Sequence, residues 1–394
     1  MARPLGRLPR LNGLRGVAIL MIVAFHATHE RYVPGGFVGV DVFFVLSGFL
    51  ITALLLDEWD SAGRISLRRF YVRRVLRLFP ALGVFLLVCL AIYARVDDGL
   101  QTLMGRFILA TTLYVANIVQ AGGTQLYWAH MWSLSAEEQF YVVWPALLIL
   151  LLRSRAPRSL VAGVTAGLFV TASALRVILW HGPYAGDVGA VLYSPFTHAD
   201  GLLLGCLLGQ LYAWDLLPRG ERWRRGVALA AAVSAVLLAI VLATVHPATR
   251  WLYDGGYSLV VLAAGAILLA ALDERPSLPV RALAWRPLTY TGEISYALYL
   301  WNPLFFFNYP GTAFNPVVGV ALAYAVSAAS FRFVETPALR LKSRFAGVRH
   351  QAAVVVEPAS LPGQTSTTSS PTSTRSRTNT SQDETGSNAS AKSQ

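Results

Sequence analysis

Long apolar runs alternate with short polar segments along most of the chain. Eleven such runs can be distinguished, several of them close to the roughly 20 apolar residues that a helix needs to cross a bilayer. They cover residues 16–27, 37–56, 78–94, 104–121, 138–152, 159–181, 196–213, 226–245, 257–272, 288–307 and 313–334. The pattern predicts an all-α, polytopic transmembrane helical bundle.

The basic residues between the runs predict how the bundle lies in its membrane. Arginine-rich segments are expected on the cytoplasmic side, because positively charged loops are retained there. Beyond residue 152 they alternate with loops that together contain only Arg250, which fits six crossings. The arginine-rich segments are 64–77, 153–158, 219–225, 275–286 and 340–349, and the arginine-poor ones are 182–195, 246–256 and 308–312.

One stretch breaks this alternation. Residues 78–152 begin and end next to cytoplasmic segments but contain three apolar runs, and an odd number of crossings cannot return the chain to its starting side. We expect the run 104–121, which contains Arg106 and Asn117, not to cross fully. The bundle then has about ten crossings with both termini cytoplasmic, and eleven crossings with one exception to the charge rule are the alternative.

Composition agrees with a membrane protein and excludes several other classes. Apolar residues make up 55% of the 394 residues and charged residues only 14%, whereas soluble domains carry about 25% charged residues. A soluble single-core enzyme, a disordered protein and a disulfide-rich scaffold are therefore excluded. The net charge of +12 is explained by the arginines that set the topology, so nucleic-acid binding is not expected.

The two cysteines and the C-terminal region add little chemistry. Cys89 and Cys206 both lie inside apolar runs, which predicts buried thiols and neither a disulfide framework nor a metal site. After about residue 350 the chain is rich in Ser and Thr and has no apolar periodicity. We expect one membrane domain over residues 1–349 and a disordered cytoplasmic tail over residues 350–394.

Ionisable side chains within the apolar runs are the first candidates for function, since their burial in a membrane is unfavourable. Arg15 and His26 are eleven residues apart in the first run. On a helix this spacing puts both on one face, about 16 Å apart along the axis. The pair suits a basic anchor at one end of a channel and a titratable base at the other. The alternative is an arginine that reaches the membrane surface and a hydrogen-bonded core histidine.

Acidic residues at the ends of two other runs could act on His26. Asp41 could orient His26, bind a polar acceptor, or cap the N-terminus of its helix. Ser135 and Glu138 have the spacing of a capping box, which predicts that a helix starts at Ser135. Glu137 is not needed for that box, and as a carboxylate beside His26 it would fix the tautomer of the imidazole.

Further ionisable groups lie within or beside the runs and are weaker candidates: His130, Arg176, His198, Asp200, Arg332 and Glu335. His130 is a competing base on the loop before Ser135. Arg176 lies well inside its run and needs an acidic partner. Arg332 and Glu335 have the i, i+3 spacing of an ion pair on a helix.

Several motifs, taken in order, resemble the acyltransferase 3 family of integral membrane acyltransferases, over roughly residues 8–345. The family usually has a histidine after the tryptophan of its last motif, where this chain has Asn302. The motifs are NGLRG from Asn12 with His26 at the Arg-x10-His spacing, GVDVFFVLSGFLIT from Gly39, FYVRRVLRLFP from Phe70, WSLSAEEQFY from Trp132, ISYALYLW from Ile294 and ETP from Glu335.

The resemblance implies transfer of an acyl group, commonly acetyl, from a cytoplasmic coenzyme A thioester to a hydroxyl group. It also implies that Arg15 and His26 are functional, and it extends to Glu137. Acyl-CoA is then a co-substrate, and we expect no permanently bound cofactor and no metal. The expected location is a bacterial cell membrane, with a glycan or glycosylated metabolite as acceptor and the lipid bilayer as surroundings.

On this hypothesis His26 deprotonates the acceptor hydroxyl, and Glu137 or Asp41 orients His26. Coenzyme A phosphates are held by the predicted cytoplasmic arginines Arg15, Arg73, Arg74 and Arg77. Transient acylation of His26 is a second route to the same product. The sequence does not decide between these routes, and it leaves the acceptor, the length of the acyl chain and the oligomeric state open.

Two other functions are compatible with the same residues. Intramembrane Arg, His and Asp also mark the paths of transporters, for example of a glycolipid or polar metabolite. A structural membrane partner in a glycan-assembly complex is the other alternative. Binding of acyl-CoA would distinguish the acyltransferase from both.

Overall fold

The computed structural model describes residues 8–95, 98–306 and 315–343, and all regular structure within these ranges is helical. The predicted tail over 350–394, the boundary at residue 349 and the loop 308–312 lie outside the described residues. The helices are α1 (Pro9–Ala27), α2 (Gly39–Ala62), α3 (Leu67–Tyr93), α4 (Asp98–Thr112), α5 (Ala116–Ala121), α6 (Met131–Arg153), α7 (Arg158–His181), α8 (Val188–Leu192), α9 (Asp200–Ala213), α10 (Glu221–Thr244), α11 (Tyr257–Leu272), α12 (Leu278–Ala282), α13 (Arg286–Glu293), α14 (Ser295–Trp301), α15 (Pro303–Phe306), α16 (Pro316–Ser330) and α17 (Thr336–Ser343).

The protein is a multi-pass membrane protein. Within the described ranges, eight helical segments are long and apolar enough to cross a bilayer, and a ninth apolar helix, α9, is shorter. The number of crossings and the side of each terminus stay predictions. The eight segments are Pro9–Ala27, Gly36–Ala62, Leu67–Tyr93, Met131–Arg153, Arg158–His181, Glu221–Thr244, Leu252–Leu272 and Pro316–Leu341.

Two of the apolar runs are interrupted rather than forming one long helix. The run 104–121 breaks between α4 and α5, where Tyr114 adopts a positive φ of 54°. The run 288–307 is divided among α13, α14 and α15, with breaks at Ile294 and Asn302. A break in a helix leaves backbone groups to be satisfied by side chains, so polar residues concentrate at such points.

The centre of the bundle is formed by helices that meet backbone to backbone at glycines. A Cβ atom added to Gly292 would lie 1.8 Å from the carbonyl oxygen of Asn12, and one added to Gly13 would lie 1.7 Å from that of Leu283. Because only glycine permits this approach, α1 and α13 are held in a fixed register. The pair Gly48 and Gly205 joins α2 to α9 in the same way.

Two local predictions need correction. The capping box is wrong, because α6 begins at Met131, four residues before Ser135. The Ser135 hydroxyl bonds to the carbonyl of Met131. The pairing of Arg332 with Glu335 is also wrong, since Arg332 is exposed while Glu335 is buried. A π-helical turn over Phe331–Glu335 separates α16 from α17 and rotates these side chains apart.

Both cysteines are buried free thiols, as predicted. Cys89 packs within an aromatic-rich cluster under α3 and α4, and Cys206 faces a second cluster between α2 and α6. They therefore contribute to packing as small apolar side chains.

Candidate active site

Helix α1 carries both ends of the candidate site. It is helical without a break from Pro9 to Ala27, so Arg15 and His26 lie on one face about 16 Å apart along the axis, as the spacing predicts. The segment that packs against this face is α13 with α14. Ser295 lies opposite Arg15, and Asn302 lies opposite His26. The glycine contacts of α1 with α13 set this alignment.

The first end contains three arginines and is called here the arginine end: Arg15, Arg74 and Arg77. Arg15 donates to the Ser295 hydroxyl over 3.0 Å and lies within electrostatic range of Arg74 and Arg77. Arg74 donates to Glu138 over 2.6 Å, and its guanidinium lies 3.5 Å from the ring centre of Tyr141. Three guanidinium groups thus converge from α1 and α3 on one place in the bundle interior.

Three carboxylates compensate these charges: Glu137, Glu138 and Glu335. Of these, Glu138 forms an ion pair with a guanidinium group within the described residues. Glu137 accepts a hydrogen bond from the Tyr141 hydroxyl, and both Glu137 and Glu335 lie within electrostatic range of Arg15 and Arg77. Arg77 donates no hydrogen bond within the described residues, so its N–H groups are available to an anion.

The second end is called here the histidine end: His26, His130 and Asn302. Asn302 is fully buried and its side-chain NH2 group donates to the carbonyls of Leu298 (2.7 Å) and Tyr299 (3.0 Å). Its Oδ1 atom therefore faces His26 as an acceptor, and His26 contacts it through Nδ1. A proton on Nδ1 leaves the lone pair of the neutral imidazole on Nε2.

A chain of hydrogen bonds joins His26 to His130. The Tyr299 hydroxyl donates to the backbone carbonyl of His130 and lies 2.5 Å from the Ser133 hydroxyl. Because Asn302 bonds to the Tyr299 carbonyl, the two histidines are held by one connected network. His130 is also within electrostatic range of His26.

The functional side chains keep some accessible surface although they lie inside the bundle. Arg15 and His26 are half-buried, whereas their neighbours Ala18, Ile19 and Val23 on the same helix are buried. Half-burial also applies to Arg74, Arg77 and Glu137. These five half-buried side chains are called here the polar path, which extends along α1 from the arginine end to the histidine end.

Two residues predicted for the site lie outside the path. Arg73 pairs with the buried carboxylate of Glu58 at 3.5 Å, and Arg69 contacts the same carboxylate at 3.0 Å. One helical residue rotates Arg73 by about 100° from Arg74, so the two face different neighbours. Asp41 accepts a hydrogen bond from His198 over 3.0 Å, and no side-chain cap forms at the start of α2.

Arg176 has the acidic partner that its position requires. Its guanidinium donates to Asp200 over 3.1 and 2.5 Å and to the Ser258 hydroxyl over 2.7 Å. Arg176 and Asp200 are fully buried. A buried charge pair with further hydrogen bonds is a structural element, and this one joins α7, α9 and α11.

The sequence analysis assigns no catalytic or binding role to Ser295, Tyr299 or Glu138, although all three shape the path. Glu138 was assigned to a capping box, whereas it is the direct partner of Arg74. Ser295 and Asn302 are seven residues apart, which corresponds to two helical turns, and this periodicity could have predicted a shared face. Within the described residues no group of three or more His, Cys, Asp or Glu side chains is arranged for a metal ion.

A sequence profile described as an acyltransferase domain matches residues 8–331, which include all five residues of the path. The chain belongs to the acyltransferase 3 family. The match extends from the start of α1 to the beginning of the π-helical turn. It thus confirms the family suggested by the motifs.

Two curated relatives of the chain are named as O-acetyltransferases. The chain is 32% identical over 349 residues to peptidoglycan O-acetyltransferase OatA of Listeria monocytogenes, covering 84% of this chain and 55% of that protein. It is 31% identical over 350 residues to O-acetyltransferase OatA of Staphylococcus aureus NCTC 8325, covering 84% and 57%. The chain spans little more than half the length of these relatives. No solved structure matches it.

Proposed function

We propose that this protein is a membrane O-acyltransferase that moves an acyl group, most simply acetyl, from acyl-CoA to a hydroxyl of a glycan. The observation that carries this proposal is the polar path, which has anion-binding groups at one end and a base about 16 Å away at the other. Coenzyme A has the matching shape, because its phosphates and its thioester are separated by the long pantetheine arm.

The arginine end supplies the donor site in this proposal. The N–H groups of Arg15 and Arg77 form charge-assisted hydrogen bonds with the coenzyme A phosphates. Glu137 and Glu335 stabilise the guanidinium groups when the donor is absent, without consuming their N–H groups in ion pairs. Arg73 is left out of this proposal because it is paired with Glu58.

The histidine end supplies the base. His26 Nε2 takes the proton of the acceptor hydroxyl as its oxygen attacks the thioester carbonyl. The carbon–sulfur bond breaks, and His26 returns the proton to the leaving thiolate. Asn302 fixes the tautomer that this step requires. An amide cannot itself relay the proton, so the role of Asn302 is to position His26.

In the orientation that we propose, both termini of the chain lie on the cytoplasmic side of the membrane. Arg15 then lies near the inner surface, where acyl-CoA is present, and His26 lies near the outer end of α1. Glu137 lies between the two, since it is in electrostatic range of Arg15 and also of Tyr299. The name of the Listeria relative specifies peptidoglycan, and we propose a cell-wall or related surface glycan as acceptor here.

The proposal is tested with purified full-length chain in lipid nanodiscs, radiolabelled acetyl-CoA and chitotetraose as a soluble glycan probe. We expect saturable binding of acetyl-CoA and a covalently acetylated saccharide that mass spectrometry identifies. A protein that binds acetyl-CoA but forms no acetylated product with any surface glycan would contradict the acceptor class. A protein that does not bind acetyl-CoA would contradict the proposed donor. Acetylation of surface glycans, measured by mass spectrometry in cells with and without the gene, provides the matching comparison.

A further inference from the structure

Three neighbouring side chains at the histidine end contain buried polar atoms that have no partner. They are Trp128 Nε1, both ring nitrogens of His130, and Trp301 Nε1, none of which forms a hydrogen bond within the described part of the chain. Their residues are 2%, 7% and 5% exposed. Buried polar groups are normally hydrogen-bonded, so three neighbouring side chains with unpaired polar atoms need an explanation.

The three side chains surround a single phenyl ring. The ring centre of Phe85 lies 6.1 Å from that of Trp128, 6.3 Å from that of His130 and 5.4 Å from that of Trp301. Phe107 stacks on His130 at 6.0 Å and completes the aromatic surroundings. The orphan atoms therefore belong to one aromatic cluster rather than to three unrelated sites.

This cluster adjoins the candidate base. Trp301 directly precedes Asn302, the residue that contacts His26. His130 is joined to Tyr299 through its carbonyl, and Tyr299 is joined in turn to Asn302. A hydroxylated group bound at the cluster would therefore hold its own hydroxyl close to His26.

The chemistry of the orphan atoms selects a neutral ligand. Burial lowers the pKa of His130 well below its usual range, so its ring is uncharged and offers one donor and one acceptor. The two indoles offer donors alone. Neutral donors and an acceptor set among aromatic faces suit a sugar ring, whose hydroxyls form hydrogen bonds and whose C–H faces stack on aromatic rings.

Two of the three side chains lie on a loop rather than on a helix. Trp128 and His130 belong to the segment 122–130 between α5 and α6, which is not helical. Gly122, Gly123 and Gln125 on this segment are exposed.

We propose that Trp128, His130 and Trp301 form the subsite for the sugar ring of the acceptor, beside the hydroxyl that His26 activates. This inference rests on the proposed function. It predicts that loss of an orphan group weakens acceptor binding while donor binding is retained.

The test compares His130→Phe and Trp301→Phe, which keep the aromatic volume, with the wild-type full chain in nanodiscs. We expect the KM for chitotetraose to rise about three- to tenfold in each, as for one lost neutral hydrogen bond. The KM for acetyl-CoA should not change. His130→Gln, which retains a donor and an acceptor, should restore part of the loss. His181→Phe is the control, since His181 is half-exposed and pairs with Asp254 elsewhere.

The outcomes separate this subsite from the function on which it rests. If the wild type transfers acetyl groups but both variants keep the wild-type KM for the saccharide, the orphan atoms bind buried water only and the subsite is overturned. If the wild type transfers nothing, the proposed function fails, and calorimetric binding of chitotetraose without donor then decides the subsite by itself. Melting temperatures report folding. If His130→Phe does not fold, Trp301→Phe gives the decision.

Discussion

The two ends of the polar path differ in charge, which matches the different chemistry of the two substrates that we propose. At the arginine end three guanidinium groups lie with three carboxylates, of which Glu335 is buried and the other two are half-buried. The histidine end consists of neutral groups among aromatic rings. In the proposed function the charged groups bind the charged donor and the neutral groups bind the hydroxylated acceptor. One helix, α1, thus connects two sites of different chemistry.

The two ends also differ in the backbone that carries them. Arg15, Arg74 and Glu138 lie in the interior of long helices. At the histidine end, His26 is in the last turn of α1, His130 immediately precedes α6, and Asn302 lies at a helix break. Helix interiors fix the geometry of the arginine end, which is the proposed donor site. Helix ends and the adjoining loop give the histidine end, the proposed acceptor site, a more adaptable backbone.

The largest expected effect is at the base. His26→Ala should lower the rate of acyl transfer about 100-fold or more, since it removes general base catalysis. The affinity for acetyl-CoA, measured by equilibrium binding, should stay near that of the wild type because the arginine end is untouched. Transfer at the wild-type rate would show that another group, such as His130, removes the proton.

The next effect concerns the arginine end. Arg77→Gln should raise the KM for acetyl-CoA about ten- to 100-fold, as for one lost charge-assisted hydrogen bond, with little change in kcat. Arg68→Gln removes the same charge from an exposed position on the same helix and is the matched control. Equal behaviour of the two variants would mean that net charge, and not the path, attracts the donor.

A smaller effect is expected where Asn302 positions His26. Asn302→Leu should lower kcat about tenfold, the lower range for loss of a group that orients a functional histidine. The KM for acetyl-CoA should not move. Asn302→His keeps a polar partner for His26 and is expected to retain more activity than Asn302→Leu. A rise in donor KM in place of a lower kcat would contradict the positioning role.

The smallest effect on chemistry is expected from the helix contact that aligns the two ends. Gly292→Ala should destabilise the fold by about 1–3 kcal/mol, since a Cβ atom would collide with the Asn12 carbonyl. The melting temperature in detergent measures this loss. Gly226→Ala on α10, where no atom lies within 4 Å of the added Cβ, is the control and should be neutral or slightly stabilising. Similar melting temperatures would show that α1 and α13 can separate without loss.

Part of the candidate site could be predicted from sequence because it depends on one helix. The spacing of Arg15 and His26 is enough to place both on one face of α1. Glu137 is predicted beside His26, whereas it bonds to Tyr141 and lies within electrostatic range of Arg15. The partner of Arg176 and the separation of Arg73 from Arg74 could not be predicted, since they depend on contacts between distant segments.

The sequence by itself determined that this is a helical membrane protein of the acyltransferase 3 family, because apolar run length, arginine placement and short motifs are local properties. Only the tertiary structure decided that Asn302 contacts His26, that Asp41 pairs with His198, and that Glu138 pairs with Arg74. Each of these pairs joins segments that are distant in the chain. Glycine contacts align α1 with α13 and α2 with α9, and no local pattern encodes the register in which two helices meet.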